Sequence, residues 1–302
     1  MEWIIGIDIG GTNFRLGCVA RNGDLAFFEK RSSAPFKEDG AAKVLGAEIR
    51  DYMERHSLTG KVAAVAVGVP SVVSKDKSFV YSTPNLKGLE HMDLGHILEE
   101  CLGMQVFVDR DVNYLLRHDI QKYGLDPHRD KTILGMYLGT GFGNPIYING
   151  QFHAGKNGVA GELGHIPLFG LEEICPCGNE GCAELRCSGA YLKKLQTQYY
   201  SDTEIGEIFL KHGKDERILK YVRDLAYPIS TEVTLLDPDY VVMGGGVMIM
   251  KDFPADYLKE QVKKRTRHPF PSENLEFIFP EYSQTSGVVG GGLSAFDAIE
   301  QG

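Results

Sequence analysis

The sequence has no apolar stretch long enough to cross a bilayer. Its longest uncharged apolar run, residues 62–73, contains Gly68 and Pro70 and falls short of the about 20 residues that a spanning helix needs; it reads as a buried strand and turn. No basic segment precedes the apolar start "MEWIIGIDIGGT", which argues against a secretory leader and makes the cytoplasm the expected compartment. Positive charge is in deficit, with 32 Lys and Arg against 41 Asp and Glu and a net charge of −9. That balance works against sequence-independent binding to nucleic acid or anionic membranes, so neither is an expected partner. A phosphorylated ligand stays open, because backbone N–H groups and Mg²⁺ hold phosphate without net positive charge. Two phosphate signatures are also missing. There is no G-x-x-x-x-G-K-[ST], and no G-x-G-x-x-G opening a helix, which excludes the P-loop and dinucleotide-binding readings.

Cysteine is scarce and unevenly spread. Of six in the chain, Cys18 and Cys101 sit alone in apolar segments, where a free thiol behaves as a small buried hydrophobe. Cys187 suggests no role. Cys175, Cys177 and Cys182 fall within "GHIPLFGLEEICPCGNEGCAEL", where Pro176, Gly178 and Gly181 supply turns that bring closely spaced thiols onto one centre. With His165 they make a Cys₃His tetrahedral zinc set. Four protein ligands close the shell, so such a zinc is structural and activates no water. Reduced thiols without a metal are the plainer alternative, and a disulfide is the poorer one in a reducing compartment. A nucleic-acid-binding knuckle is disfavoured by Glu162, Glu172, Glu173, Glu180 and Glu184 around it.

What remains is an ordinary globular composition, 302 residues with 43% hydrophobic and 24% charged, enough for about two domains. The chain repeats itself. "IIGIDIGGT" at 4–12 and "ILGMYLGTG" at 133–141 both read as a buried strand ending in a glycine turn. Each is followed by strand, Asn-Gly turn and strand, at Asn22-Gly23 and Asn149-Gly150. Each half then has an apolar strand ending in glycine, "VAAVAVGVP" and "YVVMGGGV", and apolar spacing predicts helices over 41–56 and 215–236, the second kinked or divided at Pro228. The expected fold is α/β and duplicated, with two halves facing each other across a cleft. Paired glycine turns suit phosphate there, because glycine lets several backbone N–H groups converge on oxygen atoms.

In this order, and with the thiol cluster, the motifs resemble the ROK family of sugar kinases and repressors, within the actin-like (ribonuclease H-like) ATPase superfamily. The resemblance covers nearly the whole chain. It implies a two-domain fold around an ATP and sugar cleft: a first domain at 1–115, and a second at 116–289 with a zinc-binding insertion at 162–187. A final helix, about 290–302, returns to the first domain. "DIGGT" resembles the first phosphate motif, with Asp8 on Mg²⁺ through water and Gly10, Gly11 and Thr12 on phosphate. "GTGFG", with Gly139, Thr140 and Gly141, resembles the second, and "DPDYVVMGGGV", with Gly244, Gly245 and Gly246, the adenosine motif. Glu162, His165 and Glu184 are implied to contact the sugar, the zinc fixing the backbone that carries them. The thiols then shape a sugar site instead of doing chemistry.

"QVFVDRDVNYLLRHDI" is an apolar strand ending in Asp109-Arg110-Asp111, with a helix expected after it. A helix cap fits Asp109 and Asp111 equally by sequence; the resemblance makes Asp111 the general base for the sugar hydroxyl. Two positions depart from the family pattern. Arg110 stands where many members have Asn, and an Arg with five fixed donors does not replace an amide. Asn144-Pro145 follows the second phosphate motif where small residues are usual. "SKDK" at 74–77, "STPNL" at 82–86, "RDVN" at 110–113, "YLGTG" at 137–141 and "GELGHIPL" at 161–168 resemble the family's D-allose kinases. Arg110 with Asn85 and Glu162 is then expected to read the C3 side of the ring. The implied activity is ATP-dependent 6-phosphorylation of a hexose, D-allose first, with glucose, fructose or N-acetylmannosamine as alternatives, from a homodimer. The rival classes are a sugar-sensing protein without catalysis, which can lose the phosphate turns or the base, and a repressor. The repressors carry a helix-turn-helix region ahead of "DIGGT", whereas seven residues precede Asp8 here.

Overall fold

The computed structural model describes residues 2–83, 86–281 and 283–301. Asn85 lies outside them. The chain divides into two compact units, one of Met1–Leu125, Ala154–Ala160 and Ser283–Gly302, the other of Asp126–His153 and Gly161–Tyr282.

The first unit starts with β1 (Trp3–Ile9), β2 (Asn13–Val19), β3 (Leu25–Ser32), α1 (Ala41–Arg55) and β4 (Val62–Val69). A small sheet of β5 (Val72–Val73), β6 (Phe79–Ser82) and β7 (Met92–Asp93) follows, then α2 (Leu94–Leu102), β8 (Gln105–Arg110) and α3 (Asp111–Tyr123). The main sheet runs β3-β2-β1-β4-β8, antiparallel through β1 to β3 and parallel through β1, β4 and β8. β1 is covered on both faces. Ile5, Ile7 and Ile9 join the core under α1 and α2, while Ile4 packs with Tyr114, Ala295 and Phe296. Burial on both faces is why the strand reads as a nearly unbroken apolar run.

The second unit contains β9 (Thr132–Leu138), β10 (Phe142–Gly143), β11 (Ile146–Ile148), β12 (Gln151–Phe152), α4 (Glu184–Cys187), α5 (Gly189–Tyr199), α6 (Ile208–His212) and α7 (Glu216–Leu236). β13 (Tyr240–Gly244), α8 (Ala255–Arg265) and β14 (Glu276–Ile278) complete it, and α9 (Ser286–Gln301) belongs to the first unit. Its main path runs β12-β11-β9-β13-β14. β9, β11 and β12 pair antiparallel and β9, β13 and β14 parallel. Position by position this repeats the order and directions of the first sheet, the duplication that the repeated glycine-ended strands announce.

Three expectations are corrected. The first unit ends at Leu125, not at 115, because α3 is one helix and packs along α9. Residues 154–160 also join it: Gly158, at φ +82°, lies so close to the backbone of Val73 and Ser74 that a Cβ would overlap it. Pro228 does not divide 215–236, and α7 runs through it. The hydroxyls of Ser230 and Thr231 both donate to the Tyr227 carbonyl, bracing the turn that follows the proline. The two Asn-Gly turns also differ. Asn149 and Gly150 both have positive φ, the two-residue hairpin form that matches strand twist. At Asn22-Gly23 the bonds are Gly23 N–H to Ala20 O and Ala20 N–H to Asp24 O, a longer loop with only Gly23 at positive φ.

Candidate active site

In the first unit the strand ends gather carboxylates. Asp8 sits one residue before the end of β1, opposite Arg15 on β2, whose Nη1 lies 3.3 Å from its Oδ2. Burial raises the Asp8 pKa and Arg15 opposes the rise. Gly287, in the first turn of α9, leaves room for this carboxylate, since a Cβ there would stand 2.8 Å from its Cγ. The turn to β2 is closed by the Gly10 N–H on Asn13 O at 3.0 Å.

β8 ends on Asp109 and Arg110, and α3 begins at Asp111. Neither carboxylate caps the helix through the usual Ncap position: Arg110 is the Ncap and makes no side-chain cap bond. Asp111 Oδ1 accepts from Val112 N–H at 2.7 Å. Its pKa rises to about 7, first from burial and then from the negative charge of Asp8, against the Val112 N–H and Arg110. Its acid and base forms therefore exchange near neutral pH, which suits a general base. Asp109 is buried and its Oδ1 accepts from the Arg110 N–H at 2.8 Å and Asn113 Nδ2 at 2.7 Å. Arg110 Nη1 donates to the Ala160 carbonyl at 2.7 Å, tying the strand end to the 154–160 loop.

In the second unit the corresponding turns present backbone. Gly139, Thr140 and Gly141 follow β9, and the N–H groups of Gly189 and Ala190 at the start of α5 donate to the Gly139 and Thr140 carbonyls, each at 3.0 Å. With its carbonyls held from behind, the turn has fixed amide directions. Gly245, after β13, lies against Leu138 at φ +91°, and a Cβ would meet the Leu138 backbone at 2.4 Å; the Gly139 to Gly141 and Gly244 to Gly246 turns are therefore neighbours. Glu184 opens α4, and its Oε2 accepts from Phe142 N–H at 2.9 Å. A Cβ at Gly141 would stand 2.6 Å from that oxygen, so the carboxylate is wedged beneath the second glycine turn.

His165, Cys175, Cys177 and Cys182 form one cluster, with ligand atoms all within 4.8 Å of one another. Cys177 and Cys182 sulfurs are 3.6 Å apart, and Cys175 Sγ is 3.8 Å from His165 Nδ1. A tetrahedral zinc with Zn–S near 2.3 Å sets its sulfurs about 3.8 Å apart, so the donors fit that ion, and their spacing leaves no disulfide. The loop is shaped by Cys175 N–H on Asn179 O, Gly178 N–H on Cys175 O and Gly181 N–H on Glu173 O, with Gly178 and Gly181 at positive φ. With Nδ1 toward the thiols, His165 turns Nε2 toward Glu162, 3.8 Å from Oε2. Gly161, at φ +79°, crosses so close to the Asn144 carbonyl that no side chain fits, which fixes the entry to Glu162.

Asn144 is buried and donates from Nδ2 to the Gly135 carbonyl at 3.0 Å and to Glu232 Oε2 at 2.9 Å. Burial lifts the Glu232 pKa to about 7, with the Asn144 amide opposing. Pro145 packs its ring on Gly135, whose N–H bonds the Pro145 carbonyl at 2.9 Å. The Asn144-Pro145 departure thus serves the core of this unit. Sequence reasoning missed the Asn144–Glu232 pair, and it missed Lys77, whose Nζ is 2.8 Å from Asp109 Oδ2; only the "SKDK" stretch pointed near it.

No helix of the described residues is long and apolar enough to cross a membrane. Among curated proteins, the chain is 28% identical to a glucokinase of Halalkalibacterium halodurans over 96% of its own length and 94% of the relative's. It is also 28% identical to an N-acetyl-D-glucosamine kinase of Histophilus somni over 96% and 98%. Among solved structures it superposes on a ROK family glucokinase from Streptomyces griseus, crystallised with glucose and AMPPNP, with a TM-score of 0.78 at 24% identity, covering 100% of both chains. The two-domain α/β architecture is thus that of the ROK sugar kinases. The sequence model of the ROK family matches residues 4–296, and the chain belongs to that family.

Proposed function

We propose that the protein is an ATP-dependent hexose 6-kinase in which Asp111 is the general base. The observation that carries this reading is the Asp111 carboxyl at the start of α3, near Asp8 and with its pKa lifted to about 7. Phosphoryl transfer needs positioning, charge neutralisation and a proton acceptor. Asp111 takes the proton of the C6 hydroxyl as its oxygen attacks the γ-phosphate in line. Gly10, Gly11 and Thr12, with Gly139, Thr140 and Gly141, hold phosphate oxygens through backbone N–H groups; Gly244, Gly245 and Gly246 pack against adenosine. Mg²⁺ bound with ATP supplies charge neutralisation on the transferring phosphate, and Asp8 is the residue to hold its water. Glu162, His165 and Glu184 orient the sugar. His165, Cys175, Cys177 and Cys182 would hold a structural zinc that fixes the loop carrying them, since four ligands leave no open position.

D-allose is the proposed first substrate, on the Arg110-containing resemblance. Asn85 and Glu162 remain the proposed readers of the C3 side with Arg110, although Arg110 commits Nη1 to the Ala160 carbonyl. The relatives favour a second reading, a kinase for glucose or an N-acetylated hexosamine. The cytoplasm, where thiols stay reduced, and a homodimer complete the proposal. A coupled ADP-release assay over allose, glucose, fructose, N-acetylglucosamine and N-acetylmannosamine tests it. The highest kcat/KM on allose supports the full reading; a higher value on another sugar keeps the kinase and removes allose; no turnover on any removes the kinase.

A further inference from the structure

Asp109 is a charge with little room for error. Its side chain is 7% exposed, and a carboxylate taken from water is costly unless paired and hydrogen-bonded. Oδ1 has the Arg110 N–H and Asn113 Nδ2. Oδ2 has no aligned hydrogen-bond donor among the described residues, and the cation that faces it is Lys77, at 2.8 Å. The contact is long-range in the chain. It joins the turn between β5 and β6 to the end of β8, two residues before Asp111.

The turn that presents Lys77 is itself braced. Lys77 N–H donates to Ser74 O at 2.9 Å and Lys77 takes φ +61°. Asp76 Oδ1 accepts from the Ser74 and Ser78 hydroxyls and from the Ser78 N–H, and Gly95 N–H at the start of α2 holds the Ser78 carbonyl at 3.1 Å. On the other side the 154–160 loop presses Gly158 onto Val73 and Ser74 and takes the Arg110 guanidinium on Ala160 O. Turn, strand end and loop are therefore fastened to one another by Lys77, Arg110 and Gly158.

We propose that Lys77 is a positioning residue for the phosphoryl transfer: by pairing with Asp109 it fixes the β8–α3 junction and so aims the Asp111 carboxyl. This rests on the kinase reading above. Lys77 acts through Asp109, and its loss is felt in the chemical step more than in ATP binding. A base displaced by about an ångström is enough for a loss near a hundredfold.

The test is a double-mutant cycle on the full chain, with kcat and KM measured separately for ATP and hexose. Lys77→Met is expected to lower kcat about 10- to 100-fold with the KM for ATP within about twofold, and Lys77→Arg to recover most of it. In an Asp109→Asn background the same Lys77→Met change should cost little more, because the partner charge is gone. Lys75→Met, two positions away on the edge of an open pocket shared with Tyr81 and Lys156, should leave kcat unchanged. Unaltered kcat in Lys77→Met, or fully multiplicative losses in the double variant, would overturn the proposal. If Lys77→Met folds poorly, Asp109→Asn against the Lys77→Met/Asp109→Asn pair, which buries no unpaired carboxylate, decides the same question. Absence of turnover by the unaltered protein would instead remove the kinase reading, and this inference with it.

Discussion

The two units share one sheet plan and place different residues at its strand ends. β1 reads Ile-Ile-Gly-Ile-Asp-Ile-Gly and β9 reads Ile-Leu-Gly-Met-Tyr-Leu-Gly, so Asp8 in the first corresponds to the buried Tyr137 in the second. β8 ends in Asp109-Arg110 and leads straight into Asp111 at the start of α3, whereas the equivalent β14 runs into Phe279 and Pro280. Asp8 near the end of β1 and Asp111 just past the end of β8, both with raised pKa values, thus belong to the first unit. The second presents glycine backbone at the ends of β9 and β13 and adds the thiol loop. A duplicated scaffold leaves strand order alone and differentiates through the few residues at the strand ends, where side chains leave the core and meet solvent and ligand.

If acid–base chemistry belongs to the first unit alone, the largest effect comes from Asp111→Asn. It should lower kcat by about 10²- to 10⁴-fold while hexose KM stays within a few-fold. A small loss would break the asymmetry. The second unit should respond to its thiols instead: Cys182→Ser is expected to remove one equivalent of zinc by elemental analysis, lower the melting temperature and raise hexose KM, because binding energy of a structural metal is folding energy. Zinc content unchanged by that substitution would exclude the metal from this loop.

The pH dependence separates the units further. Asp111 must be ionised to accept a proton, so kcat/KM should rise with pH and level off above an inflection near 7, where its raised pKa lies. Glu232 in the second unit has a similar pKa of about 7 but should affect stability and not rate. Its folded pKa is raised, so its contribution is most favourable below its unfolded value and is lost as pH climbs from about 4.5 through 7. The loss amounts to roughly 3 kcal/mol. Glu232→Gln should therefore flatten the unfolding free energy between pH 5 and 8, measured by urea titration at each pH, and leave the kcat/KM inflection in place.

The features most legible in the sequence were local ones. Glycine after an apolar strand announces a tight turn, and Gly245 shows why: at φ +91° against the Leu138 backbone no other residue fits without strain. Three thiols and a histidine in one loop likewise announce a shared centre, because Gly178 and Gly181 fold that loop on itself. Pairs that depend on packing between distant segments were not legible. Lys77 meets Asp109 only because β5 lies beside β8 and so brings the turn after β5 onto that strand's end, and Asn144 meets Glu232 only once α7 packs on β9. The first unit's true extent was hidden for the same reason, since the 154–160 loop belongs to it through Gly158 and Ala160, contacts that no local pattern encodes. At Pro228 the local pattern allowed a kinked or a divided helix, and the helix runs through it undivided.

The most direct test of Asp111 as the base of a hexose 6-kinase is to incubate the purified protein with ATP, Mg²⁺ and the preferred hexose and to follow the product by phosphorus NMR, beside Asp111→Asn. A hexose 6-phosphate should accumulate with the unaltered chain and form at least about a hundredfold more slowly with the variant. Equal rates from the two proteins, or phosphate on a different hydroxyl, would contradict that assignment.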